Sequence, residues 1–172
     1  YLIAAFADEP ARIIQIQEFK NNFDMLSKPL PEKILAQRMK TKDGKEISLK
    51  EVLSSTDVIY VDFWASWCGP RLHEMPGEKQ LISEFRGKKV KFILISLDEN
   101  EKKWQNAMAK INVDGEHFII SEGVKSVLVK YLAFQEIPKY IIFDYNGKLI
   151  NRNAPRPGYV LKNKSVLLNL LK

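Results

Sequence analysis

At 172 residues the chain is long enough to form one domain with a sizeable core and a short extension. Hydrophobic residues make up 45% of it and charged residues 28%, a composition that excludes collagen-like and disordered chains. Its one cysteine excludes a framework of intramolecular disulfides. The net charge of +6 is carried entirely by residues 145–172, which favours a solvated terminal helix over a surface for an anionic partner or a membrane. Nucleic-acid binding is not expected, because aromatic residues do not interleave with the basic ones.

Residues 1–30 are predicted to form a helical arm that precedes the main domain at 31–172. Asp8-Glu9-Pro10 is a helix-start signal, since acids and proline favour the first turn. Apolar residues at helical spacing follow, namely Ile13, Ile16, Phe19, Phe23 and Leu26. Residues 2–7 have two interpretations, the end of a helix or the remnant of a secretory signal peptide. We expect the apolar stripe of the arm to pack on the domain.

The main domain is predicted to alternate strands with helices. The predicted strands are 37–40, 46–48, 58–64, 90–97, 118–120, 140–143 and 148–151, and the predicted helices are 72–86, 101–110, 124–132 and 161–171. Asn146-Gly147 between the last two strands predicts a β-hairpin. This order predicts an α/β sandwich built around a mixed sheet.

Cys68 stands where a buried strand is predicted to run into a helix. The strand at 58–64 is followed by Trp67-Cys68-Gly69-Pro70, which delivers the thiol to a helix N-terminus. Unpaired N–H groups and the helix dipole favour an anion there, and the thiolate is the reactive form of cysteine. A lone cysteine is more often buried and inert, but these three neighbours favour a reactive, accessible thiol.

Two charged residues near this turn leave alternatives open. Arg71 lies three residues after Cys68, which is close enough on a helix to stabilise a thiolate, but it cannot attack a mixed disulfide as a second cysteine would. A monothiol reaction completed by an external thiol and a loss of redox function both agree with Arg71. Asp62 is an acid within an apolar strand, where burial is costly unless the acid is neutral, paired or functional.

Two blocks of sequence resemble the TlpA/ResA branch of thioredoxin-like proteins. The first is Val-Asp-Phe-Trp-Ala-Ser-Trp-Cys-Gly-Pro at 61–70, followed by Glu74-Met75-Pro76, and the second is Ile-Pro-Lys-Tyr-Ile-Ile-Phe-Asp at 137–144. The resemblance implies a thioredoxin-like three-layer sandwich, thiol-disulfide oxidoreductase activity and a periplasmic or cell-envelope location. The chain departs from the family at Arg71, where the second cysteine is expected.

The resemblance also implies roles for single residues. Asp62 matches the buried acid that accepts a proton, although its usual client, the second cysteine, is missing. Pro138 matches a cis-proline beside the active cysteine, and this geometry lets backbone groups of Ile137 pair with an extended substrate. The expected catalytic residues are Cys68, Arg71 and Asp62, and the expected substrate-binding residues are Trp67, Gly69, Pro70, Ile137 and Pro138.

These residues together predict a thioredoxin-like oxidoreductase of cell redox homeostasis that acts at most as a monothiol through Cys68. The alternative is a redox-inactive peptide-binding module, and a one-cysteine peroxidase ranks third because Ala65 stands where peroxiredoxins place threonine. Protein or peptide thiols and disulfides are the expected partners, with a small-molecule thiol also considered. No cofactor, metal or nucleic acid is expected, and membrane contact is expected only from whatever precedes Tyr1.

Overall fold

A computed structural model of the chain describes Gln17 and residues 25–54 and 57–171. Most of the predicted arm at 1–30 therefore lies outside the described residues. In its described end, Leu30 is buried, and Met25 and Leu26 pack against the core of the domain. The described part of the chain contains no helix that is long and apolar enough to cross a membrane.

Seven strands form one mixed sheet, which confirms the predicted α/β class. The strands are β1 Arg38–Thr41, β2 Glu46–Ser48, β3 Val58–Trp64, β4 Val90–Ser96, β5 Glu116–Ile119, β6 Lys139–Phe143 and β7 Leu149–Asn151. Their order is β2-β1-β5-β4-β3-β6-β7. β4 runs parallel to both β3 and β5, whereas the other pairs are antiparallel. Every residue of β3 is buried, as expected of a central strand with helices over both faces.

Short helices join and cover these strands. They are α1 Glu32–Leu35, α2 Leu49–Leu53, α3 Arg71–Glu84, α4 Glu101–Ile111, α5 Val127–Leu132, α6 Pro157–Lys162 and α7 Ser165–Leu168, with a 3₁₀ turn at Gly123–Lys125. The sequence did not predict α1 and α2, because a single turn is too short to show helical periodicity. A capping box starts α2, in which Ser48 and Glu51 exchange side-chain and backbone hydrogen bonds.

Two predicted helices are interrupted in the structure. The expected helix at 161–171 is wrong as a single element, since Asn163 (φ −126°, ψ 63°) leaves the helical region between α6 and α7. The expected helix at 124–132 breaks at Ser126, whose hydroxyl accepts a hydrogen bond from the N–H of Val129 at 3.2 Å and so caps α5. Val124 and Val127 are consequently exposed rather than part of a buried face.

The core lies on both faces of the sheet. Along β3, Ile59, Val61 and Phe63 point to one apolar cluster, whereas Val58, Tyr60 and Trp64 point to the other. Because side chains alternate along a strand, Asp62 shares the second face, on which α3, α4 and the C-terminal helices pack. This face also carries the candidate site.

The C-terminal segment packs directly on α3. A Cβ atom placed on Gly77 would lie 3.4 Å from the Cα of Gly158, so the backbones of α3 and α6 approach closely. Arg156 pairs with Glu74 at 2.7 Å, and Lys164 pairs with Glu84 at 2.6 Å. Part of the basic charge in 145–172 therefore forms ion pairs with acids of α3. These pairs explain that part of the charge by contacts within the fold.

Candidate active site

Cys68 lies in the turn that joins β3 to α3. Its backbone N–H donates to the carbonyl oxygen of Ala65 at 3.0 Å, and its own carbonyl accepts from the N–H of Arg71 at 3.3 Å. The regular helix thus begins at Arg71, and the thiol precedes it by three residues instead of opening it. Cys68 is 6% exposed, so the expectation that its neighbours keep the thiol accessible is wrong: the turn folds the side chain against the loop before β6.

The thiol faces the loop that leads into β6. Cys68 Sγ donates to the carbonyl oxygen of Ile137 at 3.3 Å, and the Ile137–Pro138 peptide bond is cis. Trp67 is 63% exposed beside this contact. Gly69 and Pro70 are also exposed, so the five residues predicted to bind substrate surround a thiol that is itself nearly covered.

A buried aspartate holds the turn in place. Asp98 accepts from the backbone N–H of Ser66 at 2.8 Å and from its hydroxyl at 2.6 Å, and also from the hydroxyl of Ser96 at 2.7 Å. These hydrogen bonds tie the turn to the end of β4. Sequence reasoning missed Asp98, although an acid directly after the buried strand β4 is a signal of such a role.

Arg71 does not pair with the thiol. Its Nη2 lies 2.8 Å from Asp62 Oδ2 and 3.0 Å from Glu78 Oε2, and all three residues are at most 2% exposed. Its guanidinium carbon lies 4.5 Å from the ring centre of Trp64. The remaining nitrogens, Nε and Nη1, have no hydrogen-bond partner among the described residues. Among the described residues the guanidinium is thus engaged with two carboxylates and makes no hydrogen bond to the Cys68 thiol, so stabilisation of a thiolate by Arg71 stays a prediction.

The fold explains why these three charged side chains meet. Arg71 and Glu78 are seven residues apart, which is two helical turns, so both lie on the face of α3 that covers the sheet. Asp62 lies on the matching face of β3, between Tyr60 and Trp64. The seven-residue spacing was available in the sequence, but it became informative only once the facing strand was known. Glu78 was accordingly missed.

Burial governs the electrostatics of this cluster. Burial raises the pKa of Asp62, and the Arg71 guanidinium opposes that rise. Burial, and then the charge of Asp62, raises the pKa of Glu78 well above its ordinary value. Arg71 compensates one carboxylate, and a proton kept by the acid pair leaves the cluster neutral. Asp62 is thus part of a buried charge cluster with Arg71 and Glu78.

Neither histidine forms a hydrogen bond with Cys68 in the part of the chain that the structure describes. His73 is exposed on α3, and a ring nitrogen of His117 is 2.8 Å from the carbonyl oxygen of Val113. Within the residues described, no group of His, Cys, Asp and Glu side chains is arranged to hold a metal ion. Cys68, the single thiol of the chain, is the group that can act as a nucleophile at this site.

A mixed sheet that brings a Trp-Cys-Gly-Pro turn against an Ile-Pro loop defines a protein of the thioredoxin fold. The chain belongs to the thioredoxin-like family, whose profile matches residues 56–149. It is 26% identical over 110 residues to a thiol-disulfide oxidoreductase ResA of Bacillus cereus, a match that covers 64% of this chain and 61% of that protein. The chain thus spans about three-fifths of the curated relatives it matches.

Solved structures agree with this assignment. The solution structure of a candidate thiol-disulfide oxidoreductase from Bacteroides vulgatus is 30% identical, with a TM-score of 0.68 over 84% of this chain and 93% of that one. A thiol-disulfide oxidoreductase from Bacteroides fragilis NCTC 9343 is 24% identical, with a TM-score of 0.66 over 76% of this chain and 96% of that one. The second similarity supports the fold alone.

Proposed function

We propose that the protein is a thiol-disulfide oxidoreductase that acts as a monothiol through Cys68. The observation that carries this proposal is the contact of 3.3 Å between Cys68 Sγ and the carbonyl oxygen of Ile137, at the loop where an extended peptide can pair with backbone groups. The similarity to proteins named thiol-disulfide oxidoreductases supports the same chemistry.

The reaction follows from the presence of one thiol. The Cys68 thiolate attacks one sulfur of a protein or peptide disulfide, the Cys68–sulfur bond forms, and the second sulfur leaves as a thiolate that takes up a proton. Arg71 fills the position from which a second thiol would attack this mixed disulfide, so an external thiol has to release the product.

The other predicted site residues have supporting roles in this proposal. Trp67, Gly69 and Pro70 provide exposed surface for the substrate, and Ile137 and Pro138 provide its backbone edge. Arg71 and Asp62 act as positioning residues, because they support the start of α3 beneath the thiol rather than touching it. The similarity to ResA supports a periplasmic or cell-envelope location as part of the same proposal.

Trapping of a disulfide substrate tests the proposal. The native chain is incubated with an insulin-derived disulfide peptide, and the product is followed by intact mass spectrometry. We expect one peptide per chain, attached at Cys68, stable until an external thiol is added and absent in Cys68→Ser. Peptide binding without any covalent product in the native chain would instead favour the redox-inactive binding module.

A further inference from the structure

We propose that a cavity between α3 and α4 binds a small anionic thiol, which is joined to Cys68 as a mixed disulfide. This inference rests on the proposed function and names its co-substrate. The cavity has a volume of about 380 Å³ and is lined by Trp64, Cys68 and Arg71 on one side and by Lys103, Asn106 and Lys110 on the other. This volume lies within the range of small-molecule sites, roughly 300–1,000 Å³.

The rim of the cavity is positively charged. Lys103 and Lys110 are seven residues apart on α4, so both lie on the same face of that helix. Both are exposed, and neither forms an ion pair with a residue that the structure describes. The lining contains no acidic side chain. A ligand that carries carboxylates fits this rim better than a neutral or cationic one.

The floor of the cavity provides a second, independent observation. Arg71 is 2% exposed and lines the cavity, and its Nε and Nη1 have no partner among the described residues. The indole nitrogen of Trp64, which also lines the cavity, is buried and unpartnered in the same way. These atoms are all donors, and leaving a buried donor unsatisfied is costly. Although these nitrogens are themselves shielded from solvent, no acceptor among the described residues offsets them, so the guanidinium behind the cavity wall favours an anionic ligand in the cavity.

The cavity is separate from the proposed peptide edge. Ile137 and Pro138, which face Cys68 from the loop before β6, do not line it. A protein substrate and a small thiol can therefore approach the same sulfur from different sides. This arrangement replaces the missing second cysteine with a bound molecule.

The exchange balances with one named co-reactant, the small thiol. In the mixed disulfide between Cys68 and a protein, the thiolate of the small thiol bound in the cavity attacks the Cys68 sulfur. A bond forms between the two sulfurs, and the protein leaves as a thiolate and is protonated. A second small thiol, as its thiolate, attacks the small-thiol sulfur now held by Cys68. The symmetric small disulfide forms, Cys68 is released as a thiolate, and the protein sulfur has been reduced.

Three small disulfides of different charge test the inference on the native chain. Glutathione disulfide is anionic, 2-hydroxyethyl disulfide is neutral and cystamine is cationic. The rate of mixed-disulfide formation at Cys68 is measured for each by intact mass and divided by its rate with the chain unfolded in urea. We expect the normalised rate to be highest for glutathione disulfide and lowest for cystamine. We also expect salt to slow the reaction with glutathione disulfide and leave the neutral probe unaffected.

Charge reversal on α4 supplies a matched pair of variants. Lys103→Glu removes a cation from the rim, whereas Lys102→Glu makes the same change on the same helix outside the lining. We expect Lys103→Glu to slow the reaction with glutathione disulfide by about fivefold, the upper range for one exposed ion pair. Lys102→Glu and the neutral probe should show no such change. Circular dichroism checks that both variants fold.

The outcomes separate the two proposals. Equal normalised rates for all three probes, unchanged by Lys103→Glu, would overturn the cavity proposal and leave Cys68 as a nucleophile. Failure of Cys68 to react with any of the three disulfides would overturn the proposed function and this inference together.

Discussion

The two faces of the central sheet are built by different physical means. One face of β3 carries Ile59, Val61 and Phe63, which pack in an apolar cluster without a charged side chain. The other face carries Asp62 between Tyr60 and Trp64, and there burial depends on a countercharge from α3. The active turn stands on this second face. The comparison indicates that the packing of α3 on this face depends on charge compensation, whereas the opposite face depends mainly on shape and apolar area.

Removal of the countercharge should have the largest effect. Arg71→Met keeps much of the side-chain volume but leaves Asp62 and Glu78 buried without a cation. We expect the free energy of unfolding to fall by about 3–5 kcal/mol, as found when one partner of a buried ion pair is removed. Urea denaturation measures this. A loss below about 0.5 kcal/mol, the range of ordinary surface substitutions, would show that the ion pairs of this cluster do not stabilise the fold.

Restoration of the second cysteine should require two substitutions. Arg71→Cys alone creates the dithiol motif but removes the same cation, so we expect weak insulin-reducing activity in an unstable protein. Arg71→Cys with Glu78→Gln leaves Asp62 as the one acid of this cluster and should regain about 1–3 kcal/mol of stability. We therefore expect the double variant to reduce insulin faster than Arg71→Cys, and both to exceed the native chain.

The native chain, Arg71→Cys and the double variant are compared in one insulin-reduction assay with the same reductant. Equal activity of Arg71→Cys and the double variant would show that Glu78 does not constrain the site. Insulin reduction by the native chain at the rate of the double variant would show that the missing second thiol is unimportant.

The second face should also respond to pH. The pKa of Glu78 is raised in the folded protein above its ordinary value of 4.5. A group with a raised folded pKa binds its proton more tightly when folded, so its contribution to stability is complete below about 4.5 and is lost as pH rises through the folded pKa. Glu78→Gln should remove this loss. Its stability relative to the native chain should therefore rise from acidic to alkaline pH in thermal denaturation.

Glu84→Gln provides the control for the pH experiment, because it makes the same chemical change on α3 outside the buried cluster. If the native chain and Glu78→Gln show parallel stability curves across the pH range, then Glu78 is not the group whose protonation stabilises the fold.

The apolar face should give the smallest effect and no pH dependence. Ile141→Val, in the cluster opposite Asp62, removes one methylene from a fully buried site. We expect a loss of about 0.5–1.5 kcal/mol by urea denaturation, with the same value at acidic and alkaline pH. A loss that varied with pH would mean that the two faces are not independent.

The sequence was sufficient for those features that depend on local pattern. The apolar run at 58–64 predicted β3, and the alternation of apolar runs with helical spacing predicted the mixed sheet. These features are encoded by neighbouring residues. The approach of Cys68 to Ile137, which lies 69 residues away, was instead implied by the resemblance to thioredoxin-like proteins.

The direction of Arg71 could not be obtained in the same way. A spacing of three residues along a helix allows Arg71 to contact Cys68. In the structure α3 lies over the sheet, and the side chain of Arg71 points toward Asp62. Glu78 was missed because its partner comes from another element, and buried charges interrupt the apolar stripe by which helices are recognised. Asp98 likewise acts through a turn that lies 32 residues away in the chain.

The buried cluster also affects how this protein can change by mutation. A single substitution at position 71 can recreate a cysteine, but the protein that results holds two buried acids and no cation. A change of Arg71 to cysteine therefore produces a less stable protein unless position 78 changes first. A substitution at position 78 alone leaves Arg71 paired with Asp62. The neighbours of Arg71 thus constrain its replacement. A change to two-cysteine chemistry, in evolution or by design, is favoured when Glu78 is replaced before Arg71.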